Sequence, residues 1–152
     1  MGLRLSVLAL LVALPALAKP WNSIEPGVSL KDAVLKKFGE PTKVTTVGGR
    51  EVLSYSNEKA IKNTAQTQFR VDPTTGVVER IDVFPEATIS IDQEAIEKSY
   101  GIECVGNDRD GCYVKRAQDK KPAYFLYAKL GVAIFFKEDG KVVSMAYLPG
   151  KK

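Results

Sequence analysis

Residues 29 to 41, "SLKDAVLKKFGEP", begin on a hydroxyl, run through a helical pattern and stop on Gly-Glu-Pro, and "SIDQEAIEKSYG", residues 90 to 101, does nearly the same. In the first copy Leu30, Ala33, Val34 and Phe38 fall at helical spacing with Lys31, Lys36 and Lys37 between them, so one face is apolar and the other solvated. Ser29 is positioned as an N-cap, Asp32 lies near the helix start, and Gly39 with Pro41 forms a stop. In the second copy Ser90 stands at the cap, Gln93 at the capping-box position, and Ile91, Ala95, Ile96 and Tyr100 form the apolar stripe before Gly101. Aligned on the terminal glycines, Phe38-Gly39 answers to Tyr100-Gly101 at an offset of 62 residues. A chain that says this twice is constrained to an internal repeat.

After each helix the period turns from helical to alternating. The spacing predicts strands at about 43–47, 51–56, 66–72 and 77–84 in the first half, separated by Gly48-Gly49, a polar loop over 57–64 and "PTTG". The second half predicts strands at about 112–116, 123–129, 132–137 and 141–148, separated by "AQDKKP", Leu130-Gly131 and "EDG". Both final strands end before a proline, at Phe84-Pro85 and Leu148-Pro149. The expected fold is α+β: two tandem repeats (about 24–86 and 87–152), each a helix plus four antiparallel strands, with the helices on one face of a curved sheet. One ten-residue helix cannot cover a four-stranded sheet by itself, so the repeats are expected to share one core within a single domain, residues 19–152, as either one long curved sheet or two sheets packed side by side.

Residues 1–18, "MGLRLSVLALLVALPALA", are set apart from that fold. Arg4 leads into an apolar run ending in Ala16, Leu17 and Ala18, the form of a cleaved secretory signal peptide. The run is broken by Pro15 and too short to span about 30 Å of hydrocarbon, so no membrane span is expected. No cysteine lies near the cut, which argues against lipidation, and the mature chain is expected to begin at Lys19, exported to the periplasm or secreted. Without Arg4 the chain carries 21 Lys plus Arg against 18 Asp plus Glu, scattered along its length. That balance is too mild to indicate nucleic acid.

The two cysteines, Cys104 and Cys112, are an even pair in an oxidising compartment, and the turn-forming "VGNDRDG" lies between them. A structural disulfide at the base of a loop is expected. The absence of histidine removes the usual general base, the triads that depend on it and the commonest zinc ligand. "NDRDG" begins like a calcium loop, but an EF-hand would need a glutamate where Asp119 stands, and turn chemistry accounts for it better. No phosphate loop is present, and carboxylate pairs for glycoside hydrolysis stay open without any pair being singled out. No catalytic residue, no metal and no cofactor is expected.

"AYFLYAKLGVAIFF", residues 123 to 136, is apolar at both parities. By plain alternation Tyr124, Leu126, Val132, Ile134 and Phe136 would take one face and Phe125, Tyr127, Ala133 and Phe135 the other. Two readings stay open: a sheet buried on both faces, by the partner repeat or residues 19–27, or an exposed aromatic recognition face.

"PGVSLKDAVLKKFGEP", followed by an alternating run ending in Tyr55, resembles the helix signature of the SmpA/OmlA-like (BamE-like) envelope proteins. The doubled layout is similar to the β-lactamase-inhibitor-protein-like tandem-repeat superfamily, in which a disulfide follows the helix of each repeat. Cys104 and Cys112 match that placement in the second half, and the first half has no cysteine. The family's Gly-Met-Thr/Ser start appears as Gly27-Val28-Ser29 and is lost in the second copy, at Ala87 to Ser90. The resemblance implies a non-enzymatic protein that docks onto another protein through its sheet and hairpin loops, with Asp119 the candidate hairpin acid. Tyr124, Phe125, Tyr127, Phe135 and Tyr147 are the candidate contact residues, with the loops at Asp108 to Asp110 and Asp119 to Lys121 at the rim. A protein partner in the envelope or extracellular space is expected, and a small lipid or glycan held between two sheets is the alternative; a histidine-free hydrolase ranks behind both.

Overall fold

The computed structural model describes residues 18–107 and 109–151. The signal peptide expected over residues 1–18 therefore lies outside the described residues except for Ala18, and Asp108 lies outside them too. The chain runs α1 (Lys31–Phe38), β1 (Lys43–Val47), β2 (Arg50–Ser56), a single 3-10 turn (Asn57–Lys59), β3 (Thr64–Val71) and β4 (Val78–Pro85). It then repeats the order with α2 (Gln93–Tyr100), β5 (Val114–Gln118), β6 (Lys121–Tyr127), β7 (Val132–Phe136) and β8 (Val142–Tyr147). All eight strands form one antiparallel sheet in the order β1-β2-β3-β4-β8-β7-β6-β5. The halves meet edge to edge at β4 and β8, through Ile81 opposite Tyr147, Asp82 opposite Ala146 and Val83 opposite Met145.

This join corrects one expectation. The described residues form a single sheet, so among them there is no ligand site between two sheets. It also means that neither repeat covers the other's flat face. Residues 19–27 run on the helix side: Trp21 lies 6.1 Å from Phe38 and 6.0 Å from Phe69, ring to ring, and Ile24 is in the core.

The helices begin later than their hydroxyls suggest. Leu30 is the N-cap residue of α1 and has no side-chain cap. The Ser29 carbonyl accepts from Val78 N–H at 2.8 Å, which ties Ser29 to the start of β4, and its hydroxyl accepts from Glu25 N–H at 2.8 Å instead. In the second copy Asp92, not Ser90, caps α2, its carboxylate accepting from Ala95 N–H at 3.0 Å. Gln93 is thus the first helical residue, and its amide reaches Glu97 at 2.9 Å one turn on. "AQDKKP" is also more ordered than its polarity suggests. β5 and β6 pair as far as Gln118 opposite Lys121 and turn on Asp119 and Lys120, because the hairpin extends beyond the core into solvent.

Each half packs one buried tyrosine against the end of its own helix. Tyr55 donates to the carbonyl of Gly39 at 2.8 Å, and Tyr127 to that of Gly101 at 2.7 Å. Phe38, Tyr55 and Phe69 form one aromatic cluster around α1, and Tyr100, Tyr113 and Tyr127 form another around α2. Burial in these clusters pushes the Tyr55 hydroxyl up to about 12, and raises Tyr113, Tyr127 and Tyr147 as well.

The disulfide between Cys104 and Cys112 closes the loop that makes the connection from α2 to β5 longer than that from α1 to β1. Cys104 N–H donates to Tyr113 O at 2.9 Å and Tyr113 N–H to Ile102 O at 3.1 Å, so the base of the loop is hydrogen-bonded as well as cross-linked. The loop passes so close to the end of α2 that a Cβ on Gly101, whose φ is +114°, would meet the Gly111 carbonyl oxygen at 1.9 Å. The first half has no such loop to clamp, and no cysteine. Among the described residues no helix is long and apolar enough to cross a membrane.

Candidate functional site

In β6 and β7 the side chains facing the helices are Phe125, Tyr127, Val132, Ile134 and Phe136, which belong to the buried core. Tyr124, Leu126, Ala133 and Phe135 alternate with them and face the other way. This is not the division that plain alternation predicts. The four-residue connection over 128–131 makes Tyr127 and Val132 cross-strand partners, so residues of opposite parity share a face.

Three of the expected contact residues are consequently core residues. Phe125 is 4% exposed, Tyr127 1% and Tyr147 3%. Phe125 stacks on Tyr113 at 3.8 Å, and the Tyr147 hydroxyl meets that of Tyr100 at 3.0 Å. Tyr127 and Tyr147 hold the end of α2 on the sheet through Gly101 and Tyr100, and all three are too buried to present surface to a partner. Tyr124 and Phe135 are half-buried on the opposite face, stacked with ring centroids 4.9 Å apart and planes 24° apart. Asp119 is exposed at the tip of the β5–β6 hairpin that carries Tyr124.

Among the described residues no helix lies on the Tyr124 side of the sheet, and its composition changes across the strands. One cross-strand row runs through Lys43, Ser54, Gln68 and Asp82 in the first half. It continues through Ala146, Ala133, Leu126 and Val114 in the second. The face is therefore polar at one end and apolar at the other, with the Tyr124–Phe135 stack beside the apolar end. At the polar end Arg80 grips Asp82 with three hydrogen bonds of 2.7 to 2.9 Å. Arg50 pairs with Glu79 at 2.5 Å and lies 4.0 Å from Asp72. The backbone N–H groups of Thr75 and Thr74 hold the Asp72 carboxyl below the usual carboxylate range.

Leu126 and the arginine-rich polar end do not stand out among the sequence-derived contact residues. The available signal was the parity opposite to the buried Phe69 and Phe125, readable once the loop lengths are known.

On the helix side a cavity of about 320 Å³ opens between the two halves, lined by Trp21, Asn22, Lys62, Asn63, Ile91 and Met145 among others. Among the described residues no group of three or more Cys, Asp or Glu side chains is arranged to hold a metal ion.

No family model matches the chain, and no curated protein matches it. A solved structure of a cysteine-rich secretory protein from Staphylococcus aureus is similar over 80% of this chain and 44% of its own, at 11% identity and a TM-score of 0.43. A DUF4309-family protein, YjgB, from Bacillus subtilis is similar over 86% of each chain, at 13% identity and a TM-score of 0.55. That likeness is one of fold and does not extend to the SmpA/OmlA-like group in particular: the chain shares a small α+β architecture with the Bacillus subtilis protein.

Proposed function

We propose that this is an exported, non-enzymatic protein-binding module of the bacterial envelope or secreted fraction, which docks its partner on the open face of the sheet. The observation that carries this reading is the Tyr124–Phe135 stack, held half-exposed at 4.9 Å on the side away from both helices. Aromatic side chains bury large area with few rotors to freeze, which suits them as the apolar centre of an interface. Leu126 and Val114 extend that centre, and Asp119 lies at its rim on the hairpin tip. The resemblance of the doubled layout to the β-lactamase-inhibitor-protein-like superfamily supports the same use of the sheet. The apolar leader over residues 1–18 supports export.

The test is affinity capture from an envelope extract with the mature chain, comparing wild type with Tyr124→Ala/Phe135→Ala. The double variant is expected to fold and to lose the captured protein. Capture that survives both substitutions would refute this use of the face.

A second reading, binding of a lipid or glycan, is favoured by the helix-side cavity, where Trp21 offers an aromatic wall and Asn22, Asn63 and Lys62 offer polar groups. A lipid or muropeptide that binds there must raise the melting temperature, and Trp21→Ala must abolish the rise.

A further inference from the structure

The polar end of the open face holds three arginines, and two are already satisfied. Arg50 is taken by Glu79 and Asp72, and Arg80 by Asp82. Arg70 stands between Val52 on β2 and Arg80 on β4, on the side opposite the buried Phe69 and Val71. Its Nε is buried and has no hydrogen-bond partner. A charged donor withdrawn from water and left unpaired is costly, and the carboxylates beside it are committed to its neighbours.

We infer that Arg70 is the socket for an acidic side chain of the docked protein. This rests on the reading of the open face as a docking surface. Arg70 is only partly covered, and once its side chain turns outward to uncover Nε, the edge made by Nε–H and one Nη–H matches a carboxylate with two parallel hydrogen bonds. An incoming Asp or Glu would satisfy the orphaned donor, which the carboxylates held by Arg50 and Arg80 do not reach.

The width of the face selects a protein as the source of that carboxylate. From β3, which carries Arg70, to β6, which carries Tyr124, is four strand spacings, or about 19 Å. One occupant that covers the aromatic stack and reaches Arg70 spans a large part of an ordinary protein interface, of about 800 Å² per partner. A small carboxylic acid would reach only one end. An acidic contact also suits a mildly basic surface, since the chain beyond residue 18 carries 21 Lys plus Arg against 18 Asp plus Glu.

A random dodecapeptide library panned against the mature protein supplies defined probes, because about seven extended residues bridge the two ends. Selected peptides are measured against wild type, Tyr124→Ala, Arg70→Gln and Arg70→Lys, with melting curves confirming that each variant folds. The expected binders carry Asp or Glu and weaken at least tenfold on all three variants. Arg70→Lys keeps the charge but lacks the two-donor edge. Changing the peptide's acid to its amide should cost the same factor on wild type and nothing further on Arg70→Gln. Binders that need Tyr124 but tolerate both Arg70 substitutions would overturn the socket and leave the docking face standing. A library that yields no binder, or only binders indifferent to all the variants, would overturn both.

Discussion

Tyr127→Ala and Tyr124→Ala should differ by about 3 kcal/mol in stability, although the two residues lie three apart on one strand and either could be read from sequence as a contact residue. Tyr127 is 1% exposed, packs against Tyr113 at 5.4 Å and Tyr100 at 5.5 Å, and donates to Gly101 O at 2.7 Å. Truncating a buried aromatic leaves a cavity and costs about 4 kcal/mol, a large part of the 5 to 15 kcal/mol that typically holds a domain together. Tyr124 is half-buried and loses chiefly its stack on Phe135, about 1 kcal/mol. At roughly 3 to 4 °C per kcal/mol, the melting temperature should fall by about 14 °C for Tyr127→Ala and about 4 °C for Tyr124→Ala. Tyr127→Phe isolates the hydrogen bond and should cost about 1 kcal/mol. Urea unfolding followed by circular dichroism measures all three, and unchanged m-values would show that the denatured state is not the source. Equal costs at positions 124 and 127, or the reverse order, would refute the assignment of faces.

Reduction of the Cys104–Cys112 bond, or its replacement by two serines, should lower stability by about 2.5 kcal/mol from loop-closure entropy, read as a melting-temperature difference with and without reductant. Asp92→Ala should cost about 1 kcal/mol and Ser90→Ala less than about 0.5 kcal/mol, because Asp92 and not Ser90 caps α2; chemical denaturation of the two variants separates them. Alkali should unfold the chain through its tyrosines. Burial raises the hydroxyls of Tyr55, Tyr113, Tyr127 and Tyr147, so the fold holds the protonated form; this stabilisation is complete below about pH 10 and is lost as pH rises through the folded values, about 12 for Tyr55. Phenolate absorbance during a pH titration should show these four ionising only together with loss of the circular dichroism signal.

The repeat was legible because caps, glycine stops and alternation are local signals, and the helices and strands stand close to where that pattern places them. The sides on which the aromatics lie were not. Which residues of β7 join which of β6 depends on the pairing of Tyr127 with Val132 across a short connection, and apolar character at both parities hides it. Capping was misread for a related reason. Ser29 and Ser90 both stand where a cap is expected, but tertiary contacts hold Ser29 to Glu25 and β4, and a carboxylate two residues later serves α2. Arg70 could not stand out in sequence, since a charged residue on a strand reads as a solvated position. Only the pairing of Arg50 and Arg80 with their own carboxylates leaves it as the odd one of the three arginines at the polar end.

The most direct test of docking through the open face is carbene or hydroxyl-radical footprinting of aromatic side chains in the presence of the captured partner. Tyr124 and Phe135 should be protected, while Trp21 and Phe38 on the helix side keep the labelling they show in the free protein. Protection of Trp21 and Phe38 with unchanged labelling of Tyr124 and Phe135 would contradict the account and place the interface on the other side of the sheet.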